Sequence, residues 1–438
     1  MLRFPRIYPV GQKFPDRRLA DVAAEVGRQL AASPFSSRVR PGSRVALGVG
    51  SRGINNIATI VRAAVDYWRA QGVHPFIFPA MGSHGAATAE GQAAILDHYG
   101  INEQTMGCPV ISQLEVVSLG KTEDGIEAFM DRAAYESSGI MLINRVKWHT
   151  NFSGPIESGL FKMMAIGIGK FAGAERYHTY AYRTGMVKMI RSVGRQVLKS
   201  EKILGGLAIL EDAHHNTAVV QAVPVEVMEQ REEENLALVK SWMGKIPLDL
   251  DILMIDEIGK DIAGSGMDPK VINRSTGPSE GPNPNLHTFE RVFVRDLSPL
   301  SQNNAVGFGR ADVVTDRLVK RLDWNAMYIN ALTASSTAGV RMPMHFASDR
   351  ECLERMMPTV GKFDTATVTI GWIHNTLELA TLGISENLRP EIDKDPTLEI
   401  LGPVRDLEFD ANSNIIGPRF WGHGSGAKRP EAMKVKAP

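Results

Sequence analysis

Residues 44–79, RVALGVGSRGINNIATIVRAAVDYWRAQGVHPFIFP, contain two apolar runs separated by a helical pattern. The run 44–49 lies between turn residues and predicts a buried strand, and the run 74–79 predicts a second one. Between them, apolar residues recur at helical spacing over 57–68, and Gly72 is placed to end that helix. A strand, a helix and a second strand in this order predict a parallel sheet.

Glycine-rich loops follow both predicted strands. The first loop begins Gly50-Ser-Arg, and the second, MGSHG, contains His84 and precedes a helix that Thr88 caps. Because both loops leave the carboxyl ends of neighbouring parallel strands, we expect Arg52 and His84 at the same edge of the sheet. Proteins with α/β folds usually bind their ligands at this edge.

The same alternation continues along the chain and predicts an α/β protein. Apolar runs at 139–144 and 205–210 predict further strands. Residues 223–242 predict a helix, and its charged middle, 229–234, is interpreted as a solvated face.

Two α/β domains with parallel-rich sheets are predicted. The boundary is placed near Pro247, where a strand-like run begins and a new glycine-rich loop follows. The N-terminal α/β domain is therefore assigned to residues 1–246 and the C-terminal α/β domain to residues 247–395. Residues 396–438 form a C-terminal segment whose small, basic tail is predicted to be frayed.

The composition excludes several classes of protein. With 438 residues, 43% hydrophobic and 22% charged, the chain is typical of a globular protein of two or three domains. Basic and acidic residues each number 49, so no net charge favours nucleic acid or a membrane surface, and a small-molecule partner is expected. Two cysteines, Cys108 and Cys352, are too few for a disulfide framework and favour a reducing compartment. No signal-peptide core and no apolar run of membrane-spanning length is found, so a cytoplasmic enzyme or binding protein is expected.

Two familiar catalytic motifs are missing. The sequence contains no G-x-x-x-x-G-K-[ST] and no H-E-x-x-H. It therefore lacks the motifs that usually indicate ATP hydrolysis and zinc proteolysis. The run IGIGK, residues 166–170, resembles part of a phosphate-binding loop but lacks its length and its final hydroxyl.

Three residues in or near loops could carry chemistry, and each has a structural alternative. His84 has small neighbours that leave its imidazole accessible, although a surface histidine fits the same pattern. His149 also follows a predicted strand, and packing beside Trp148 is its alternative. Lys162 has apolar neighbours that can desolvate its amine and make it nucleophilic, whereas a surface lysine with a buried stem is the plainer interpretation.

Further histidines could bind a metal. Neutral imidazole is the commonest metal ligand in proteins, and His178 offers one without a second ligand close in sequence. His214 and His215 follow Asp212, which invites a metal interpretation, but adjacent side chains usually point in different directions.

Taken together, these segments resemble the nickel-pincer lactate racemase family and its isomerase relatives. The resemblance rests on the Gly50-Ser-Arg loop, the Gly82-Ser-His-Gly loop and the segments 147–170 and 255–268. Their order and spacing extend it from about residue 40 to 400. In that family a nicotinate-derived mononucleotide is attached to a lysine through a thioamide and holds nickel, to which a protein histidine is a further ligand.

The resemblance implies roles for five residues. Lys162 would carry the nickel-pincer nucleotide, and His178 would be the nickel ligand. His84 and His149 match the two histidines that act as general acid and base, and Arg52 matches the arginine that binds the substrate carboxylate.

The remaining assignments also come from the resemblance. Gly82 and Ser83 are matched to cofactor binding. Lys260 is matched to a substrate-binding lysine of the second domain, and Lys270 competes for this role because the loop departs from the racemase pattern. The family fold also implies an active-site cleft between the two domains, with the C-terminal segment packing back on the first domain.

The implied reaction is racemisation or epimerisation of a 2-hydroxy acid. A histidine takes the hydroxyl proton while the C2 hydride moves to the cofactor and returns to the opposite face. Compared with lactate racemase, the interval from His149 to Lys162 is longer, and small residues replace an acidic residue before Arg52. A sugar acid or a dicarboxylate therefore matches at least as well as lactate. The cofactor-synthesis enzymes are implied as partners, and a homo-oligomer is left open.

Two alternatives stay open at this point. A metal-dependent hydrolase or lyase would use His178, His214 and His215 together with Asp212. A carboxylate-binding sensor, which is not an enzyme, would have kept the cleft but lost the cofactor.

Overall fold

The computed structural model describes residues 3–50, 53–150, 152–274, 282–333 and 336–417. These residues form two units: an N-terminal unit, Asp16–Met243, and a C-terminal unit made of the residues before and after it. The sequence boundary at 246 lies next to this division. The described residues 3–15 belong to the C-terminal unit, whereas the sequence prediction placed them in the N-terminal domain.

Strands and helices alternate through most of the described chain. In chain order the strands are β1 Ile7–Gln12, β2 Arg44–Val49, β3 His74–Pro79, β4 Val116–Lys121, β5 Glu127–Asp131, β6 Gly139–Arg145, β7 Ile203–Glu211, β8 Thr217–Pro224, β9 Leu250–Ile258, β10 Phe289–Leu297, β11 Val313–Thr315, β12 Met344–Phe346, β13 Ile370–Ile373, β14 Thr381–Ser385 and β15 Leu398–Ile400. The helices are α1 Val22–Ala31, α2 Ile57–Ala70, α3 Ala89–His98, α4 Glu103–Met106, α5 Arg132–Tyr135, α6 Leu160–Lys162, α7 Lys170–Thr184, α8 Met186–Leu198, α9 Met228–Trp242, α10 Asp316–Lys320, α11 Trp324–Thr333, α12 Asp349–Met356 and α13 Arg389–Lys394. In the part of the chain that is described, no helix is long and apolar enough to cross a bilayer.

The main sheet of the N-terminal unit has the order β3, β2, β6, β7, β8. The first four strands are parallel, and β8 returns antiparallel to β7. The strands predicted over 44–49 and 74–79 are confirmed with the same ends, and so is their parallel pairing. The α/β fold class is therefore confirmed.

Apolar layers on both faces hold this sheet. On one face, six side chains of α2 are buried at helical spacing, and they pack with β2: Ile57, Ile60, Val61, Ala64, Val65 and Trp68. The opposite face packs against a second cluster that includes Phe76, Phe78 and Phe161. Full burial of one large apolar side chain contributes roughly 1.5–3 kcal/mol, so burial in these two layers stabilises the sheet.

The helix predicted over 223–242 is wrong at its beginning. Residues up to Pro224 belong to β8, where pairing with β7 satisfies their backbone groups, and α9 begins at Met228. The charged middle of this helix is not wholly solvated either, because Glu232 is only 2% exposed. A run of charges does not show which of its members faces a tertiary neighbour.

The C-terminal unit contains an eight-stranded sheet with the order β12, β11, β10, β9, β13, β14, β1, β15. From β12 to β13 the strands are parallel, whereas β14, β1 and β15 are antiparallel to their neighbours. The strand from the start of the chain, β1, lies between β14 and β15. Pairing across such a sequence distance leaves no local signal, which is why the sequence assigned residues 1–15 to the N-terminal domain.

Candidate active site

The order of strands in the N-terminal sheet defines where a ligand would bind. The chain passes from β2 to β3 on one side, and the next strand of the sheet, β6, lies on the other side of β2. At such a reversal the loops after the two central strands diverge and leave room for a ligand. The loop after β6 contains His149. Arg52, in the loop after β2, lies outside the described residues, and its role stays a prediction.

Lys162 lies at the end of a short helix that continues into a wide turn. After α6 the backbone forms a π-helical turn over Met163–Gly167. The side chain of Lys162 is half-buried, and its Nζ lies 5.8 Å from the centre of the Phe152 ring. Single π-helical turns inside helices are frequent at functional sites.

Glu232 on α9 holds the beginning of the helix that carries Lys162. Its Oε2 accepts a hydrogen bond from the Leu160 N–H at 3.0 Å, and its Oε1 accepts one from the Phe161 N–H at 3.3 Å. Gly159 makes this approach possible, because a Cβ at that position would lie 2.0 Å from Glu232 Oε1. A buried carboxyl group thus satisfies amide groups that the first turn of a helix leaves unpaired.

The titration of Glu232 provides a first prediction. Burial raises the pKa of this carboxyl from 4.5 to about 7, although the two backbone donors act in the opposite direction. The folded chain therefore holds the proton of Glu232 more tightly than the unfolded chain does. The contribution of the protonated carboxyl to the free energy of unfolding is complete below about pH 4.5 and is lost as the pH rises through 7. Glu232→Gln removes this dependence. We expect its unfolding free energy relative to wild type to increase by on the order of 3 kcal/mol between about pH 4.5 and 8.

Urea unfolding at both pH values measures this difference. Glu234→Gln is the matched control, since Glu234 is exposed on the same helix and pairs with Arg231 at the surface. Because such surface pairs contribute roughly 0–1 kcal/mol, the Glu234→Gln variant should stay close to wild type in its free energy of unfolding. A pH-independent difference for Glu232→Gln would contradict the expected titration.

His178 is half-buried on α7. Burial lowers the pKa of its imidazole, and the positive charge of Lys162 lowers it further. Neutral imidazole is the form that binds metals. Since the charge of Lys162 acts on His178, the two residues lie in one electrostatic environment.

The ring of His149 packs on Phe152. Their centroids are 4.4 Å apart and the rings are inclined by 33°, so Phe152 contacts both His149 and Lys162. Trp148, the neighbour expected from the sequence, is itself buried. Phe152 therefore connects the loop after β6 with the segment that carries Lys162.

A buried carboxylate shapes the loop of His149. Glu157 is fully buried, and its Oε2 accepts a hydrogen bond from the His149 N–H at 2.6 Å. Its Oε1 accepts one from the Gly154 N–H at 3.0 Å and lies 2.5 Å from Lys240 Nζ. Glu157 was not predicted from the sequence, where the available signal was an acidic residue between Ile156 and Leu160 in the segment after a strand.

The loop of His84 rests on the wide turn after Lys162. The Gly82 N–H donates to the Gly167 carbonyl at 3.0 Å, and the His84 N–H donates to the Met81 carbonyl at 3.2 Å. Gly82 has a φ of +59°, and a Cβ there would lie 3.1 Å from Ile166 Cγ2. Glycine is therefore required at this position by packing and conformation, while binding of a cofactor by Gly82 and by the half-buried Ser83 stays a prediction.

The structure thus relates four predicted residues to one another within the N-terminal unit. His149 and Lys162 share the Phe152 ring, and His178 lies in the field of Lys162. His84 belongs to a loop that packs on the turn following Lys162.

The two lysines matched to substrate binding belong to the C-terminal unit. Lys260 is exposed in the loop after β9, and Lys270 is half-buried. The backbone N–H of Lys270 donates to Asp268 Oδ1 at 3.0 Å. Which of the two binds a substrate stays a prediction.

A glycine spacing at the end of β2 and in the loop after it was not predicted from the sequence. Gly48, Gly50 and Gly53 have the spacing of a dinucleotide-binding loop. A Cβ at Gly48 would lie 3.0 Å from the Phe78 ring, and one at Gly50 would lie 2.6 Å from Asn144 Oδ1. These two glycines are thus explained by close packing at the end of β2.

An ion pair supports the backbone just after Arg52. Arg145 donates to the Gly53 carbonyl at 3.0 Å, and its Nη1 lies 2.5 Å from Glu211 Oε2. Glu211 Oε1 in turn accepts a hydrogen bond from the Asn55 N–H at 2.9 Å. Both charged residues lie at the carboxyl ends of strands, which was the signal available in the sequence.

The phosphate-loop resemblance of IGIGK has no structural support. Its Lys170 is fully buried, and its amine donates to the Pro79 carbonyl at 2.8 Å and to Gln92 Oε1 at 3.1 Å. The lysine is thus committed to protein acceptors rather than to a bound phosphate.

The group Asp212, His214 and His215 forms a tight turn. Asp212 Oδ1 accepts hydrogen bonds from the N–H groups of His214 and Asn216, both at 2.9 Å, and Oδ2 accepts one from Arg17 at 3.1 Å. The described residues contain no group of three or more His, Cys, Asp or Glu side chains that could hold a metal ion. The geometry gives the carboxylate of Asp212 a structural role in this turn.

No protein-family model matches the sequence, and no curated protein matches it. Among solved structures, the chain is similar to the lactate racemase apoprotein from Thermoanaerobacterium thermosaccharolyticum. The sequences are 11% identical, and the match covers 80% of this chain and 91% of that chain with a TM-score of 0.42. These values describe a distant similarity.

Proposed function

We propose that this chain is a racemase or epimerase of a 2-hydroxy acid and carries a nickel-pincer nucleotide on Lys162. The observation that supports this best is the grouping of Lys162 with His149, through the Phe152 ring, and with His178, through the charge of the lysine. These are the residues to which the sequence resemblance assigns attachment, proton transfer and metal binding.

The residues present fit such a cofactor. Lys162 presents an amine on a half-buried side chain beside an aromatic ring, and the planar pyridine ring of such a nucleotide could pack on Phe152. The lowered pKa of His178 favours the neutral imidazole that a nickel ion requires. When bound, the cofactor supplies a group that accepts the C2 hydride of the substrate and returns it.

The histidines of the chain supply proton transfer. His84 and His149 are both half-buried, and each belongs to a loop that follows a strand of the same parallel sheet. An imidazole titrates near neutrality, so it can take a proton from the substrate hydroxyl and give it back at similar pH. Two such groups let each enantiomer meet a base on its own side.

The carboxylate of the substrate is assigned to Arg52. The small residues Gly50 and Ser51 before it, and the long interval from His149 to Lys162, favour an acid larger than lactate, such as a sugar acid or a dicarboxylate.

Mass spectrometry tests this proposal directly. The full chain is produced together with the cofactor-synthesis enzymes and analysed by intact mass, peptide mass and metal content. We expect a mononucleotide-sized adduct on the Lys162 peptide and about one nickel per chain. The same protein should invert the configuration of a 2-hydroxy acid.

Two variants separate attachment from proton transfer. Lys162→Ala should lose both the adduct and turnover. His84→Ala should keep the adduct but lose about 10²–10⁴-fold in turnover, the usual contribution of a general acid or base. Lys188→Ala is the matched control, because Lys188 is an exposed lysine paired with Asp124. A Lys162→Ala enzyme that remains active would overturn the proposal, and an unmodified wild-type chain that still binds acids would favour the sensor.

A further inference from the structure

A buried polar network lies under the loop of His84. Lys170 and Asp131 are both fully buried, and Lys170 Nζ lies 3.2 Å from Asp131 Oδ2. The same amine donates to the Pro79 carbonyl at 2.8 Å and to Gln92 Oε1 at 3.1 Å. The amine thus donates two hydrogen bonds to neutral acceptors and forms a buried ion pair with Asp131.

Gln92 connects Lys170 with the loop that contains His84 through hydrogen bonds of its side-chain amide. Its side chain is fully buried, and its Nε2 donates to the Gly82 carbonyl at 2.8 Å and to the His84 carbonyl at 3.3 Å. The lysine can only donate, so Gln92 Oε1 must face Lys170 and Nε2 must face the two carbonyls. The orientation of the amide is therefore fixed from both ends.

Stability alone does not account for these groups. Burial lowers the pKa of Lys170 against the opposing effect of Asp131, so keeping the charge there is costly. Well-packed apolar residues often replace a buried ion pair without loss of stability. Lys170 also adopts a φ of +54°, a left-handed conformation that costs roughly 1 kcal/mol or more in a residue other than glycine. Lys170 thus combines a buried charge with an unfavourable backbone conformation. We infer that the position of its amine matters more than its contribution to stability.

We propose that Lys170 and Gln92 are positioning residues that fix the backbone of Gly82 and His84 and thereby orient the His84 imidazole for proton transfer. The proposal rests on the function proposed above for His84. Gln92 contacts the loop through the main-chain carbonyl groups of Gly82 and His84. Proton transfer itself is assigned to the His84 imidazole.

Gln92→Glu is the sharpest test, because it keeps the acceptor for Lys170 and nearly the same volume. It replaces the Nε2 donor by a carboxylate oxygen that faces two carbonyl oxygens, so the loop has to move. We expect a changed imidazole NMR signal of His84 in the full chain, assigned by its loss in His84→Ala. In the cofactor-loaded enzyme kcat should fall by about 10–100-fold with KM nearly unchanged, as misplacement of a reacting group predicts.

Two further variants complete the experiment. Lys170→Met should shift the same His84 signal, whereas Lys202→Met should leave it unchanged. Lys202 is a matched control, since its amine donates to the Ser137 carbonyl at 3.1 Å elsewhere in the same unit. If Gln92→Glu fails to fold by circular dichroism, Gln92→Met takes its place, because it removes the donor without adding charge.

The NMR signal makes the two proposals separable. A shifted His84 signal would support the positioning role even if the chain, produced together with the cofactor-synthesis enzymes, carried no adduct, and that absence would count against the racemase function. Folded Gln92 and Lys170 variants with the wild-type His84 signal would overturn the positioning role, whatever the enzyme activity.

Discussion

Glu157→Ala is expected to lower the free energy of unfolding by roughly 3 kcal/mol and to lower turnover by about 100-fold. Glu157 is fully buried and accepts hydrogen bonds from the backbone of His149 and Gly154. Its removal leaves two amide donors without their acceptor, at about 1–3 kcal/mol each. The lost attraction to Lys240 adds less, because that lysine is one-third exposed and can turn to water.

The loss of activity has a local cause. The His149 amide is held at 2.6 Å by Glu157, and the ring of His149 rests on Phe152. Without the carboxylate the loop can move, and small displacements of a reacting group cost about 100-fold.

Urea unfolding and turnover measured on the same preparations test both effects. Glu234→Ala provides the control, because it removes an exposed carboxylate paired with Arg231, and such pairs contribute roughly 0–1 kcal/mol. Equal stability of the two variants would show that the contacts of Glu157 do not support the fold.

Gly159→Ala is expected to have an effect of similar size for a steric reason. The new Cβ would lie 2.0 Å from Glu232 Oε1 and 2.4 Å from its Cδ, so the glutamate or the backbone has to move. Gly159 also has a φ of +154° with a ψ of −154°, a region that side chains other than glycine avoid. Overpacking and strain together predict a loss of roughly 2–6 kcal/mol.

The same substitution should disturb Lys162, three residues further on. Because Glu232 caps the helix that ends at Lys162, we expect less adduct on Lys162 in protein produced with the cofactor-synthesis enzymes. Gly27→Ala is a control of opposite sign. A Cβ at Gly27 meets nothing within 4 Å inside α1, and alanine in a helix is more stable than glycine by about 1 kcal/mol. Wild-type stability of Gly159→Ala would contradict the steric argument.

Local patterns predicted the local structure well. The ends of β2 and β3 were correct because the apolar runs are bounded by turn residues, and α2 was predicted because its buried residues repeat every three or four positions. Thr88 caps α3 as expected, since its side chain accepts a hydrogen bond from the Gly91 N–H. In each case the physical determinant lies within about twenty residues of sequence.

Contacts between distant segments could not be predicted in this way. Glu232 lies in a charge run that resembles a solvated face, and only the packing of α9 against α6 shows that it is buried. Lys170 ends a run that resembles only part of a phosphate-binding loop, and its contacts with Pro79 and Gln92 come from segments far away in the sequence. The sequence resemblance assigned roles to His84, His149, Lys162 and His178, but it said nothing of the buried groups that hold their loops.

The position of β1 also affects the order in which the chain can fold. This strand is synthesised first, yet its two neighbours, β14 and β15, follow only after residue 380. The N-terminal unit is complete by Met243 and has all its strands while the ribosome is still producing the rest. Residues 7–12 therefore cannot form their native pairs before residues 381–400 have been synthesised, and until then their backbone groups have no strand of this sheet to bond.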